Sequence, residues 1–108
     1  MAKPLRLSLG SIAILHAITS GSRFGFDIMD TTGLTSGSVY PALERLESLG
    51  LLESSWEDQQ LAHREKRPPR RYFTLTAVGE RVLTEALERH RGFARLPRPE
   101  PQPGPGQA

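Results

Sequence analysis

The 108-residue chain contains no cysteine, which excludes a disulfide scaffold and any thiolate metal site and leaves a reducing compartment unopposed. It also lacks a long apolar run. The longest uninterrupted stretch near the N-terminus, Ile12 to Leu15, falls far short of the roughly 20 residues that a membrane-spanning helix needs. Lys3 and Arg6 precede Leu9–Ile18 in the manner of a signal peptide, but Gly10, Ser11 and His16 interrupt that segment and no A-x-A-like cleavage site follows. A cytoplasmic protein without a membrane partner is expected. No glycine-rich phosphate loop, metal-ligand spacing, or Ser or Thr with a His–acid partner set is present, so neither an enzyme nor a cofactor or metal site is expected. There are no internal repeats, and the net charge of +2 is too small to name a partner. The length allows one small domain with a modest core.

What is present is organised around Leu34–Leu52, LTSGSVYPALERLESLGLL. Thr35 is a suitable N-cap, its hydroxyl able to accept from the free N–H groups of the next turn. Val39, Leu43, Leu46 and Leu49 then recur at helical spacing and give one apolar stripe. Gly50 supplies the left-handed position that ends a helix, with Leu51-Leu52 extended beyond it. The opposite face carries Ser36, Ser38, Tyr40, Pro41, Glu44 and Arg45. Its first turns expose N–H groups and the positive end of the helix dipole, which suit an anion such as a phosphate. Pro41 has no N–H for the carbonyl of Gly37, and Gly37 adds no side chain to the crowding, so these turns can approach another surface closely. An amphipathic core helix with an incidental proline accounts for the same residues.

Upstream, Ser8 can cap a helix over 8–18 that is apolar on more than one side, implying burial against a second surface such as another subunit. His16 reads as a satisfied, partly buried histidine, with a ligand role the remote alternative. After Ser20-Gly21-Ser22, Phe24–Thr32 reads as a short helix with Phe24, Ile28 and Met29 inward. Asp27 and Asp30 are a solvated face rather than a metal pair, having no His cluster or third acid nearby. Gly33-Leu34 leads directly into the next helix. Two short helices joined through a glycine carry the helix-turn-helix signature.

Downstream, Leu52–Trp56 and Arg71–Leu75 read as strands. The polar segment between them makes a wing whose length predicts mobility until a partner orders it. Residues 44–58 hold five acidic side chains and one arginine, while Arg64–Arg71 holds five basic ones and one glutamate. Charge separated in this way is the footprint of a polyanion partner, and a solubilising loop is the plainer alternative. Trp56, the only tryptophan, suits a core or interface position at a strand end better than a ligand pocket. Thr76 caps a last helix, 77–95, with Val78, Val82, Leu83, Ala86, Leu87, His90, Phe93 and Ala94 in its stripe. At about nineteen residues it spans roughly 28 Å, so its far end must project into solvent or rest on a twin. Pro97–Ala108, rich in proline and glycine, is expected to be a disordered or extended tail.

Several stretches in this order resemble the PadR-like transcriptional regulators, in the short form having one C-terminal helix. They are Leu9–Leu15 with Gly10; Phe24-Gly25-Phe26; Gly37, Tyr40-Pro41-Ala42-Leu43, Arg45-Leu46 and Gly50-Leu51; and Pro68-Pro69-Arg70-Arg71-Tyr72 with Leu75-Thr76 and Gly79. The likeness covers about residues 5–95. It departs from the family at Ser36, where members commonly have proline, in a longer wing, and at His90, where some ligand-binding members carry a tryptophan.

The expected fold is mainly α (α+β): a winged helix-turn-helix domain (1–76) with a two-stranded wing, a C-terminal dimerisation helix (77–95) and a tail (96–108). The resemblance implies a dimeric DNA-binding repressor reading a near-palindromic operator in double-stranded DNA. The small-molecule effector of some members is left unidentified here. A winged helix turned into a protein-interaction module, without DNA binding, is the alternative. Ser36, Gly37, Ser38, Tyr40, Pro41 and Arg45 on the third helix are the expected DNA contacts, with Arg64, Lys66, Arg67, Arg70 and Arg71 on the wing. Leu9, Ile12, Ile14, Leu15, Val82, Leu83, Ala86, Leu87, His90 and Phe93 are the expected homodimer contacts.

Overall fold

The computed structural model describes residues 6–90. Helices α1 (Leu9–Thr19), α2 (Gly25–Thr32) and α3 (Ser36–Ser48) are followed by strand β1 (Leu52–Trp56), helix α4 (Gln59–Arg64), strand β2 (Arg71–Leu75) and helix α5 (Ala77–Arg89). The two strands form an antiparallel hairpin in which Leu52 faces Leu75, Ser54 faces Phe73 and Trp56 faces Arg71. This is a winged helix-turn-helix, as expected. Residues 91–95 of the expected last helix, including Phe93, and the tail lie outside the described residues.

α1 is the centre of the core. Ser8 caps it, accepting from the Ser11 N–H at 3.1 Å. Ile12, Ile14, Leu15, Ala17 and Ile18 are buried on several sides of the helix. The sequence had placed a second subunit against that excess apolar surface. Instead α2, α3, α5 and β2 of the same chain pack around α1 and bury these side chains, leaving Leu9 exposed.

Gly33, at φ 75°, lies in the left-handed region and ends α2, leaving only Leu34 and Thr35 before α3. At the start of α3 the expected cap is absent. The Thr35 hydroxyl accepts from no helical N–H and instead donates to Ser38 Oγ at 3.4 Å. The C-terminal end is as the glycine implied. Gly50 has φ 78°, its N–H donates to Glu47, and the Leu51 N–H donates to Leu46 at 3.0 Å, the paired bonds of a Schellman turn.

Phe24 precedes α2 rather than opening it. Its extended backbone bridges to Tyr72, and the Phe73 N–H donates to the Arg23 carbonyl at 2.7 Å, so residues 23 and 24 guard the outer edge of β2. The Phe24 and Tyr72 rings meet edge to face, centroids 5.8 Å apart.

The wing tip differs from the long mobile loop that its polar composition suggested. It contains α4, capped by Asp58, whose carboxylate accepts from the Gln60 N–H at 2.8 Å. Glu57 beside it is buried and holds the tip together. Both of its oxygens accept from Arg67, at 2.5 and 2.7 Å, and further bonds come from the Arg70 N–H and the Tyr72 hydroxyl, each at 3.2 Å. A buried carboxylate without such partners would cost several kcal/mol, so the segment folds around it.

Thr76 joins the two halves of the domain. Its hydroxyl accepts from the Gly79 N–H to cap α5 and donates to the Gly50 carbonyl at 2.6 Å. α5 then crosses so closely that a Cβ on Gly79 would lie 2.1 Å from the Leu51 carbonyl oxygen. Gly79→Ala should therefore force α5 away from the backbone at Leu51 and lower the melting temperature, at a cost of roughly 1–3 kcal/mol for overpacking. An unchanged melting curve would contradict this crossing.

Arg67, opposed by burial but aided by the Arg70 N–H and the Tyr72 hydroxyl, holds the Glu57 carboxyl down at about 2, against an ordinary 4.5. A carboxyl depressed on folding contributes stability above its unfolded value and loses it as acid protonates it. The melting-temperature advantage of the parent over Glu57→Gln should thus be constant above pH 5. It should shrink between about pH 4.5 and 2. A gap independent of pH would show that the charge of Glu57 contributes nothing.

Candidate nucleic-acid interface

α3 divides as its periodicity requires except at Leu49, the last residue of the expected stripe, which is the C-cap and is exposed. Val39, Ala42, Leu43 and Leu46 are buried, while Ser36, Gly37, Ser38, Tyr40, Pro41, Glu44 and Arg45 are exposed. Because Thr35 does not cap, the N–H groups of Ser36 and Gly37 have no partner among the described residues. They add to the positive end of the helix on an open face. Nothing in the fold requires glycine at 37, since a Cβ there would meet only Thr35 Oγ1 at 3.9 Å.

Gly25 is different. A Cβ on it would lie 2.5 Å from the Tyr40 ring, so the ring rests directly on the start of α2. Tyr40 is nonetheless about half exposed, and its position on the face is fixed by this contact. Arg45 leans back toward the core helix, where its Nη2 donates to Ser11 Oγ at 3.0 Å.

The five cations of the wing are not one free patch. Arg67 is bound bidentately to Glu57. Arg71 reaches across to α3, where its guanidinium pairs with Glu44 at 2.6 Å and with Glu47. Its Nε donates to Ser54 Oγ at 3.0 Å, the Ser54 hydroxyl donates to Glu47 at 2.5 Å, and the cation lies 5.1 Å from the Phe73 ring centroid. Arg70 keeps its charge unpaired, its guanidinium 4.2 Å from the Phe24 ring centroid. Arg64 and Lys66 are exposed and make no ion pair among the described residues. Lys66 adopts φ 56°, a left-handed conformation that turns the chain out of α4. Arg64, Lys66 and Arg70 therefore remain without ion pairs, as do Asp58 and Glu65 on the same tip, and Arg67 and Arg71 are committed to holding the wing.

The residues expected at a dimer interface are also split. Ile12, Ile14, Leu15, Leu83 and Ala86 are buried within the single chain. They support the outer surface without being part of it. Val82 in the middle of α5, Leu87 near its end and His90 at its C-cap are partly exposed, and Leu9 is exposed on α1. Charged substitutions at Leu83, which the stripe alone would recommend as a dimer test, would disrupt the fold instead.

Two residues with decisive roles were not legible. Glu57 and Glu47 read as ordinary members of an acidic run, and their arginine partners are 10 and 24 residues away in sequence. Only the register of the hairpin brings them together. Among the described residues no cluster of His, Asp or Glu is placed to hold a metal, and no helix is long and apolar enough to cross a membrane.

Comparison with known proteins agrees with this architecture. A PadR-family transcription regulator from Clostridium difficile superposes with TM-score 0.69 at 24% identity, covering 81% of this chain and 92% of that one. A PadR-family regulator from Eggerthella lenta gives TM-score 0.60 at 25% identity, over 79% of this chain and 76% of that one. Bordetella bronchiseptica BpsR, whose structure concerns regulation of its DNA binding by 6-hydroxynicotinic acid, gives TM-score 0.66 at 21% identity, over 82% of this chain and 62% of that one. A search among curated proteins finds no match. The family described as "Transcriptional regulator PadR-like family", one of regulators rather than enzymes, matches residues 14–85, and the chain belongs to it.

Proposed function

We propose that this transcription regulator is a cytoplasmic, dimeric repressor that binds a near-palindromic operator in double-stranded DNA. One observation carries the reading. The open face of α3, with small and hydrogen-bonding side chains and free N–H groups, is joined through Arg71 to a wing that carries Arg64, Lys66 and Arg70 without ion pairs among the described residues. α3 enters the major groove, where Gly37 and Pro41 permit close approach and Ser36, Ser38 and Tyr40 donate to phosphates or base edges. Arg45, at the α1 end of the helix, reaches the flanking backbone by leaving Ser11. Arg64, Lys66 and Arg70 hold phosphates and position the domain without specifying sequence. Residues 1–76 form the DNA-binding unit of this proposal, and the segment 77–95, which begins with α5, its dimerisation element.

The regulation of BpsR by 6-hydroxynicotinic acid makes a small-molecule effector part of this proposal, its identity left open. A protein-interaction module is favoured by one fact, that Arg67 and Arg71 are neutralised within the chain. Selection from random duplexes separates the two. Enrichment of a near-palindrome with half-sites about one helical turn apart supports the repressor. No enrichment at low salt supports the module.

The wing charges have distinguishable consequences. Arg64→Ala combined with Lys66→Ala should weaken binding to specific and random DNA alike and flatten the salt dependence by roughly one unit of slope for each phosphate that is no longer neutralised. Arg71→Ala should weaken binding while leaving that slope nearly unchanged, because it releases Glu44 and Glu47 beside the duplex and frees no phosphate. Fluorescence anisotropy at several salt concentrations measures both; equal slopes in all proteins would refute the assignment.

Assembly is tested at Leu9, whose exposure lets a charge be introduced without opening the core. Sedimentation should show the parent as a dimer at micromolar concentration and Leu9→Glu shifted to monomer with unchanged helical circular dichroism. A monomeric parent would refute the dimer.

A further inference from the structure

We infer that Trp56 is a DNA-contacting residue, packing its indole on the deoxyribose face of the strand that borders the groove entered by α3. The inference rests on the proposed DNA binding and adds to it an apolar, charge-independent contact. Trp56 is 68% exposed at the end of β1, although it is a large apolar side chain on an ordered strand. The alternation of the hairpin decides which way it faces. Residues 52, 54 and 56 share one face of β1. Leu52 on that face enters the core, and Ser54 bonds Glu47 of α3. Trp56 is next in line and lies directly across from Arg71, the residue clamped to Glu44 and Glu47. It therefore borders the notch between the outer face of α3 and the wing, where a backbone flanking the groove must run.

The surroundings select the occupant. Beyond Trp56 the wing carries Arg64 and Lys66, exposed and unpaired among the described residues, and Arg70, whose guanidinium has no carboxylate partner among them. The two carboxylates nearest the notch on α3 are already neutralised by Arg71. Asp58 and Glu65 on the same segment are also exposed and without an ion pair, so the unpaired cations outnumber the unpaired acids by one. An apolar ring on a wing with this positive excess suits a polyanion that also presents apolar sugar faces. Tryptophan fits such a place because its body is apolar and its N–H can still donate to a phosphate oxygen.

Trp56 is the only tryptophan of the chain, so its fluorescence is a native probe. The full-length protein is titrated with duplex DNA from the random pool and with the selected duplex, and acrylamide quenching is measured free and saturated. Trp56 should become shielded on saturation. Trp56→Ala should bind about tenfold more weakly, as expected for removal of roughly 55 Å² of apolar contact at 25 cal/mol per Å². Its salt slope should match the parent, and Trp56→Phe should recover most of the affinity. Equal far-ultraviolet circular dichroism in the variants confirms that the fold is kept. If the parent binds duplex while Trp56 stays accessible to acrylamide, or Trp56→Ala binds as the parent does, this inference alone is overturned. If the parent binds no duplex at low salt, the DNA reading falls and this contact with it.

Discussion

The clamp of Arg71 on Glu44 and Glu47 is the constraint through which the two exposed elements of the domain become one surface. A two-stranded hairpin has little stability of its own and would otherwise move independently of the helices. Here three anchors fix it: Leu52 and Phe73 in the core, the Phe24–Tyr72 bridge along its outer edge, and Arg71 across to α3. The ionic anchor is partly exposed and therefore modest in strength. Its contribution is orientation. It neutralises the carboxylates of α3 that a phosphate would meet, and it sets the angle at which the wing stands beside the helix.

Glu57 does for the tip what Arg71 does for the base. Its four hydrogen bonds from Arg67, Arg70 and Tyr72 close the segment that carries α4. Arg64 and Lys66 are thereby held on an ordered element, so less entropy would be lost in the proposed contact with a phosphate. Two arginines are committed internally so that the remaining cations are presented in fixed places. A count of charges along the sequence cannot distinguish these two jobs.

The local signals carried most of the fold. Ser8, Gly33, Gly50 and Thr76 each end or begin a helix in the way their chemistry dictates, and the stripe Val39–Leu43–Leu46 is buried as its spacing requires. Both strands fall where their composition placed them. What escaped was long-range. The polar tip looked mobile because Glu57 and Arg67 are 10 residues apart and nothing local marks them as partners. Thr35 looked like a cap because it has the residue type, yet its hydroxyl turns to Ser38. Gly25 and Gly79 stood out only through resemblance to a family. Their physical reasons, the Tyr40 ring and the Leu51 carbonyl, belong to other elements. The surplus apolar surface of α1 implied a second subunit, whereas four elements of the same chain pack around it and leave Leu9 exposed.

In the proposed dimer, two subunits each offering Arg64, Lys66 and Arg70 would make about six phosphate contacts available to one duplex. Titration of a labelled duplex with the parent protein over a series of salt concentrations measures them together. A plot of log affinity against log salt with a slope near −5 is expected, at roughly 0.9 per phosphate. A slope near zero, or no binding at low salt, would contradict a DNA-binding face built from α3 and the wing.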